Sequence, residues 1–308
     1  QIVMSFLMLT MISVMLPRAG VAAGRIEEVI GTRPSVTDRE QVQDEKLRSA
    51  KGVVSFEDVS FRYPGADEDA LENLTFTAGP GETTAVIGST GCGKSTLLNL
   101  IPRFYDVTAG RITIDGVDIR DLSQHKLRSL LGYVPQKAVL FSGDIASNLK
   151  FGGTWQDGAS DITDSSMEEA ARIAQATEFI ESKTEKYHSG ISQGGTNVSG
   201  GQKQRLSIAR AIAKSPKIYL FDDSFSALDY KTDVTLRRAL REKTGDATVI
   251  IVAQRISTIL NADRIIVLDD GKIAGMGTHR ELLRECEAYR EIARSQLSEA
   301  ELKGGAAV

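Results

Sequence analysis

The chain has 308 residues, of which 41% are hydrophobic and 25% are charged, and its formal net charge is −4. These values are close to the averages of globular proteins, so they exclude collagen-like, low-complexity and polytopic membrane sequences, while the length allows one large domain or two. Two cysteines are too few for a disulfide scaffold and indicate a reducing compartment. The small acidic excess gives no sign of a nucleic-acid partner.

An uncharged stretch opens the sequence. Twelve of the first sixteen residues are apolar, and four of the six methionines fall among them at helical spacing. Arg18 and Arg25 follow this stretch, whereas a signal peptide carries its basic residues before the apolar run. We therefore expect residues 1–31 to be the cytoplasmic end of a transmembrane helix whose earlier part the sequence lacks. The alternative is a buried or interfacial helix of a soluble protein.

Residues 32–50 are polar, carry mixed charges and show no apolar period, so we expect a linker there. From residue 51 to about residue 295, strand patterns alternate with helical patterns. This alternation predicts an α/β domain in which helices cover a mainly parallel sheet. A helical stretch at about 143–215 predicts an inserted subdomain, and residues 296–308 are expected to form a tail.

A phosphate loop follows the predicted strand at residues 83–87. Its sequence fits the Walker A motif G-x-x-x-x-G-K-[ST], with a β-branched run before it and an apolar helical pattern after it. Its glycines let backbone N–H groups converge on phosphate oxygens, Lys94 is expected to reach the β- and γ-phosphates, and the Ser95 hydroxyl is expected to bind Mg²⁺. The predicted nucleotide-binding residues of this loop are Gly88, Ser89, Thr90, Gly91, Cys92, Gly93, Lys94, Ser95 and Thr96.

A second acidic site is expected to complete the metal site. Four apolar residues, 218–221, precede Asp222 and Asp223. A buried strand that ends in a carboxylate supplies what Mg²⁺ binding requires in a phosphate-loop fold. We predict that Asp222 is the acidic partner of Mg²⁺.

The segment 198–205, with the sequence VSGGQKQR, resembles the signature loop of ABC-transporter nucleotide-binding domains, usually LSGGQ. The resemblance covers about residues 51–295. It implies a phosphate-loop NTPase core that includes an antiparallel β subdomain, with ATP and Mg²⁺ as ligands. It also implies that Tyr63 stacks on adenine, that Gln136 contacts Mg²⁺ or the attacking water, and that Asp229 belongs to the D-loop.

The N-terminal stretch resembles the end of the sixth transmembrane helix of ABC exporters, which leads directly into this domain. The resemblance therefore implies a cell-membrane protein whose ATPase domain lies on the cytoplasmic side. It also implies a transmembrane domain, missing from this sequence, and a second half-transporter as partners. In this family the signature loop of one domain closes over the ATP held by the other. The partner-facing residues are thus expected to be Ser199, Gly200, Gly201 and Gln202.

Two positions depart from the family pattern at the expected γ-phosphate. Asp223 stands where the family has a glutamate that polarises the attacking water, and Gln254 stands where it has a histidine. Aspartate is one methylene shorter, and misplacement on that scale costs about a hundredfold in rate. An amide can bond to a phosphate but does not titrate near pH 7. We therefore expect a degenerate site that binds ATP but hydrolyses it slowly, with catalytic roles limited to Asp223, Gln136 and Gln254.

The intact signature loop favours one half of a heterodimeric exporter, because a homodimer would carry both departures at both sites. Two alternatives remain open: a homodimeric exporter with a slow working site, and a soluble ABC ATPase that acts as an ATP-dependent clamp. The apolar N-terminus argues against the clamp. The transported substrate, whether a small molecule, a peptide or a lipid, is not specified by this sequence, and no nucleic-acid partner is expected.

Overall fold

The computed structural model describes residues 1–153 and 161–297, together with the backbone of 155–156 and 159–160. The expected tail, 296–308, lies almost wholly outside the described residues. The chain divides into two compact units, Gln1–Thr37 and a larger unit that begins at Asp38.

The first unit is essentially one helix, α1, Ile2–Gly31. None of its side chains is buried, and its most apolar window has a mean hydropathy of 1.8. The hydroxyls of Ser5, Thr10 and Ser13 donate to backbone carbonyls one turn earlier, at 2.8–2.9 Å, so these polar groups are satisfied within the helix itself. By length and composition alone, α1 could cross a membrane. At 1.5 Å per residue its length is about 45 Å, more than the hydrocarbon core of a bilayer.

The polar segment that opens the second unit is packed rather than free. Its 3₁₀-helix, Asp44–Leu47, buries Leu47 almost completely. The carboxylate of Asp44 accepts hydrogen bonds from the backbone N–H and the hydroxyl of Ser123, at 2.9 and 2.6 Å. The expected linker is thus in part an ordered piece of the domain. The polar sequence of this segment does not predict that it packs on the domain, because its side chains contact a loop about 80 residues away.

The strands of the described residues follow one another from residue 54 to residue 277. They are β1 Val54–Phe61, β2 Leu71–Ala78, β3 Thr83–Gly88, β4 Ala109–Ile114, β5 Val117–Asp118, β6 Leu131–Val134, β7 Gly143–Asp144, β8 Trp155–Gln156, β9 Ala159–Ser160, β10 Gly190–Ile191, β11 Ile218–Asp222, β12 Thr248–Val252, β13 Arg264–Asp269 and β14 Lys272–Gly277.

The α-helices that follow α1 all belong to the second unit. They are α2 Lys94–Leu100, α3 Gln124–Ser129, α4 Ile145–Lys150, α5 Asp164–Ile173, α6 Thr177–Glu181, α7 Gly200–Ala213, α8 Tyr230–Lys243, α9 Ile256–Ile259, α10 His279–Glu285 and α11 Glu287–Gln296. Helices α4 to α7 lie within the stretch that the sequence marks as helical.

A six-stranded sheet with the order β14-β13-β3-β12-β11-β6 forms the centre of the domain. All its neighbours pair in parallel except β14, which pairs antiparallel with β13. Side chains of the central strands alternate between two buried clusters, with Leu220 and Ile250 in one and Phe221 and Ile251 in the other. Burial on both faces explains why these strands are continuously apolar.

The two clusters belong to different layers. One joins the central sheet to a second sheet, whose order is β2-β1-β4-β5 and whose pairs are all antiparallel. The other joins the opposite face to α4–α8 and to α10–α11. The predicted α/β fold, with a mainly parallel sheet, an antiparallel β subdomain and a helical layer, is confirmed.

Candidate functional site

Four neighbouring parallel strands direct the predicted site residues to one edge of the central sheet. In sheet order these strands are β3, β12, β11 and β6. The phosphate loop follows β3, Gln254 lies just beyond β12, Asp222 ends β11 and Gln136 lies just beyond β6. Ligands of open parallel sheets bind outside the carboxyl ends of the strands, so the fold places a binding site here.

A cavity of about 360 Å³ lies at this edge. It brings together residues that are up to 191 positions apart in the sequence. Its lining residues are Tyr63, Ala70, Thr90, Gly91, Gly93, Lys94, Ser95, Thr96, Gln136, Asp222, Asp223, Val252 and Gln254. Ala70 and Val252 were not predicted from the sequence, although the position of Val252 at the carboxyl end of a central strand was a usable signal.

Two glycines of the phosphate loop, Gly88 and Gly93, lie where a side chain would clash with neighbouring atoms, and Gly93 also has a positive φ. Gly93 has φ +98°, and a Cβ there would lie 2.6 Å from the Leu71 Cδ2 and 2.8 Å from the Ala70 carbonyl oxygen. A Cβ at Gly88 would lie 2.1 Å from the carbonyl oxygen of Leu268. Any side chain at either position would displace neighbouring backbone.

The ammonium group of Lys94 lies over the loop. Its Nζ donates to the carbonyl oxygens of Gly88 and Ser89, at 2.9 and 2.6 Å, and lies 3.6 Å from the Cys92 Sγ. Lys94 and Cys92 are both buried, although Lys94 still lines the cavity. The loop therefore holds a cation where phosphate oxygens can replace its present carbonyl partners.

Ser95 and Asp222 form the acidic part of the site. The Ser95 hydroxyl donates to Asp222 Oδ1 at 3.0 Å. Burial raises the pKa of the Asp222 carboxyl, as does the neighbouring charge of Asp223, while the Ser95 hydrogen bond and Lys94 act in the opposite direction. A buried carboxylate with a raised pKa is stabilised by a cation.

These residues fit Mg²⁺. A hydroxyl, a carboxylate and the amide oxygen of Gln136 are hard oxygen ligands of the kind Mg²⁺ prefers. Within the described part of the chain, no group of three or more His, Cys, Asp or Glu residues could hold a metal by itself. Mg²⁺ typically binds through one or two protein groups together with substrate phosphates and water, which agrees with this donor set.

Tyr63 is fixed at the wall of the cavity. Its hydroxyl is within 3.0 Å of the Thr96 Oγ1. Its ring packs edge-on against Phe61 and Tyr105, with centroids 4.8 and 5.3 Å away. The half-buried ring is therefore held in place before any base arrives, which suits a stacking role.

Asp223 lies in the cavity with a constrained backbone. Its φ is +45°, its N–H donates to the Val252 carbonyl at 2.9 Å, and its carbonyl accepts from the Ser226 hydroxyl at 2.8 Å. The Gln136 Nε2 donates to Asp223 Oδ2 at 3.4 Å. Asp223 and the predicted Q-loop residue Gln136 thus lie in contact at the cavity.

The signature loop lies at the start of α7 and does not line the cavity of its own chain. Ser199 Oγ accepts from the N–H of Gln202 at 3.3 Å, and Gln202 Oε1 accepts from the N–H of Ser199 at 3.0 Å, which together form a capping box. Ser199 and Gly200 are exposed. A Cβ at Gly200 would meet nothing within 4 Å, so packing in this chain does not require glycine there.

Asp229 caps the helix that follows the predicted D-loop. Its carboxylate accepts from the N–H of Thr232 at 3.0 Å. This backbone hydrogen bond lowers the pKa of the Asp229 carboxyl. Asp229 does not line the cavity either.

The fold and the cavity define a phosphate-loop nucleotide-binding protein. The family model of the ABC transporter matches residues 71–226, just over half of the chain. The chain therefore belongs to the ABC transporter family, whose cofactors are ATP and Mg²⁺.

Relatives agree with this assignment. The chain is 48% identical over 304 residues to an uncharacterized ABC transporter ATP-binding protein of Mycobacterium tuberculosis, covering 99% of this chain and 51% of that one. It is 39% identical over 267 residues to the ATP-dependent lipid A-core flippase of Haemophilus influenzae, covering 86% and 45%. The chain spans about half the length of the curated relatives it matches.

A solved structure has a similar fold. A bacterial Atm1-family ABC exporter with ATP bound matches with a TM-score of 0.84 and 35% identity, covering 96% of this chain and 50% of that chain. The resemblance to exporters is thus supported by sequence and by structure.

Proposed function

We propose that this chain is the ATP-binding part of an ABC exporter and couples ATP binding and hydrolysis to export across the cell membrane. One observation carries the proposal: a single domain presents a phosphate-binding cavity together with an exposed SGGQ loop outside that cavity. The apolar helix α1 supports a membrane location, with the nucleotide-binding domain on the cytoplasmic side.

Different residues of the cavity bind different parts of the nucleotide. The loop N–H groups and Lys94 bind the phosphates, and Tyr63 stacks on the base. Ser95, Asp222 and Gln136 hold Mg²⁺, which when bound neutralises phosphate charge. Asp223 and Gln254 line the part of the cavity assigned to the γ-phosphate.

The exposed signature loop serves the ATP site of a second half-transporter. A Cβ at Gly200 would face open space, so contacts within this chain do not require a glycine there. The close approach of a group from outside the chain would explain the glycine. Helix α7 has 14 residues, and its N-terminus presents N–H groups and a positive dipole end to that group. Ser199, Gly200, Gly201 and Gln202 would thereby meet the partner's γ-phosphate.

This chain's own site hydrolyses ATP slowly. The Asp223 carboxylate is one methylene shorter than the glutamate of the family and accepts from Gln136 instead of lying free. Gln254 offers an amide that cannot exchange protons near pH 7. With both positions altered, the intact signature loop is most useful to a partner with a complete site, which makes this chain one half of a heterodimer.

An exposed aromatic pair beyond Gln136 is a candidate contact with the transmembrane domain. Phe141 and Phe151 stack with centroids 4.3 Å apart, and they are 44% and 53% exposed. Arg210 lies over both rings, at 5.3 and 5.7 Å. Exposed apolar side chains that lie together, rather than singly, are a feature of interaction surfaces. Their position after the Q-loop would link the nucleotide site to the membrane part.

Expression of the full-length gene product tests the proposal. Membrane fractionation should recover the chain with the membrane, and recovery in the soluble fraction would favour the clamp alternative. Mass spectrometry of the purified assembly should find two different half-transporters. A purified assembly of this chain alone that hydrolyses ATP would establish the homodimer, an alternative supported by the carboxylate that Asp223 still offers to the cavity.

A further inference from the structure

The backbone on either side of Arg255 is bridged by a single side chain from the last described helix. Gln296, at the end of α11, donates from Nε2 to the carbonyl oxygen of Gln254 at 2.8 Å. Its Oε1 accepts from the N–H of Ile256, also at 2.8 Å. One amide group therefore fixes the peptide units before and after Arg255.

A second side chain, from another helix, holds the next turn. Arg237 of α8 pairs with Asp233 through two hydrogen bonds of 2.9 Å. It also donates to the carbonyl oxygens of Ser257 and Thr258, at 3.3 and 2.9 Å. The segment after Gln254 is thus supported by α8 and α11, neither of which lines the nucleotide cavity.

Helix α9, Ile256–Ile259, needs this outside support at its beginning. Arg255 occupies the N-cap position in an extended conformation and makes no side-chain cap hydrogen bond. Ile256 is fully buried, so its N–H would otherwise lack a partner away from water. Gln296 supplies that partner and, with the same group, binds the carbonyl of the residue whose side chain lines the cavity.

We propose that Gln296 is a positioning residue that holds the Gln254 backbone so that the Gln254 side chain is directed at the γ-phosphate of bound ATP. This inference rests on the proposed function, which assigns Gln254 to that phosphate. Gln296 is itself exposed and does not line the nucleotide cavity. Gln296 must therefore act on the nucleotide through Gln254. Because only ATP has a γ-phosphate, a change at Gln296 should alter the affinity for ATP and not the affinity for ADP.

Competition photolabelling of the full-length chain in its assembled transporter tests this role. Labelling with 8-azido-ATP at 0 °C, read on this chain separately from its partner, is competed with ATP and with ADP to give the ratio of the two affinities. The variants are Gln296→Leu, Gln254→Ala and the double variant. Arg294→Leu, an exposed neighbour on α11, is the matched control.

Gln296→Leu should lower the preference for ATP over ADP about threefold or more, as expected from the loss of a hydrogen-bonded support, and should leave ADP affinity unchanged. The same substitution should have no further effect when Gln254 is alanine, because the two residues act as one unit. Arg294→Leu should match the unsubstituted chain. If Gln296→Leu prevents assembly, Gln296→Glu, which keeps the acceptor for Ile256 but loses the donor, should give the same loss of preference.

Two results would overturn the inference. The first is a normal preference for ATP in both Gln296 variants while Gln254→Ala lowers it. The second is an effect of Gln296→Leu that persists undiminished in the Gln254→Ala background. A normal preference in Gln254→Ala itself would instead remove Gln254 from the γ-phosphate, and that part of the proposed function would fail together with the inference.

Discussion

The carboxylate of Asp223 accepts a hydrogen bond from the side-chain amide of Gln136, with Oδ2 and Nε2 3.4 Å apart. The two residues follow neighbouring parallel strands, β11 and β6. Asp223, which we propose stands in place of the family's glutamate, is thereby held by the residue predicted to lie at the attacking water. This contact supports the proposal that the site binds ATP without fast hydrolysis.

Replacing Lys94 with alanine should weaken ATP binding at this chain's site. The substitution removes a buried cation from the loop, and charge-assisted hydrogen bonds of about 1.5–3 kcal/mol correspond to about a ten- to hundredfold loss of affinity. Photolabelling of this chain with 8-azido-ATP measures the change. Equal labelling of the variant and the unsubstituted chain would contradict the assignment of the loop.

Ser199→Ala or Gly200→Asp should impair hydrolysis at the partner's site more than ATP binding at this chain's own site. Both residues are exposed and lie outside the cavity. The aspartate would set a negative charge toward the partner's γ-phosphate. Total ATPase activity and labelling of this chain, measured side by side, separate the two effects. Normal turnover in both variants would leave the signature loop without the proposed role.

Asp223→Asn should barely change the ATPase activity of a heterodimeric transporter. If this site turns over about a hundredfold slower than its partner because the carboxylate is misplaced, it supplies roughly one per cent of the total. The matched substitution of the partner's glutamate should abolish nearly all activity. Loss of most activity in Asp223→Asn would identify a working catalytic site and would favour the homodimeric exporter over the heterodimeric one.

Acidification should loosen the packing of α11 through His279. The buried ring bonds to the Tyr289 hydroxyl at 2.7 Å, and burial, with a smaller effect of Arg280, lowers the pKa of His279. The pKa of a histidine in the unfolded chain is about 6.5. When folding lowers that pKa, the histidine does not reduce the free energy of unfolding above pH 6.5. The free energy of unfolding falls as the pH drops below this value.

Hydrogen exchange of α11, corrected for intrinsic rates, measures this effect between pH 7.5 and 5.5. Protection should fall with pH in the unsubstituted chain and change less in His279→Gln, which cannot titrate. Any pH dependence that remains in His279→Gln comes from other titrating groups. The same pH dependence in both proteins would contradict the effect of His279.

Lys94 and Asp222 were predictable from the sequence pattern, because the Walker A motif and the acidic pair each follow an apolar run that is typical of a central strand. Tyr63, Gln136 and Gln254 were predicted only from the resemblance to the ABC family. Parallel strands bring Lys94, Gln136, Asp222 and Gln254 to one edge of the sheet. The order of the strands in the sheet was not predictable, since it depends on pairing between segments far apart in the chain.

Other features escaped the sequence analysis for identifiable reasons. Strand β14 was missed although Asp270 and Gly271, both at positive φ, form the Asp-Gly turn that marks a hairpin. The break between α10 and α11 has no periodic signal, because it depends on Cys286, which is extended and packs its Sγ against Gly275. The docking of Asp44 on Ser123 and the Gln296 bridge arise from tertiary contacts that leave no periodic signal.

Restoring both altered positions should raise hydrolysis at this site. Asp223→Glu extends the carboxylate, and Gln254→His adds a titratable contact, so the pair should exceed either change alone without strict additivity. Position 223 has φ +45°, which glutamate tolerates less well than aspartate, so part of the gain is offset by backbone strain. The ATPase rate of the pair in a transporter whose partner glutamate is substituted measures the gain. An unchanged rate would show that other groups limit this site.

The most direct test is a single turnover of the assembled transporter with 8-azido-ATP, radiolabelled on the α-phosphate, followed by crosslinking and analysis of the nucleotide held by each chain. We expect mainly triphosphate on this chain and diphosphate on its partner. Conversion on this chain should be about a hundredfold slower, the cost expected for a carboxylate displaced by about an ångström. Equal conversion on the two chains, or conversion only on this one, would contradict a degenerate site formed by Asp223 and Gln254.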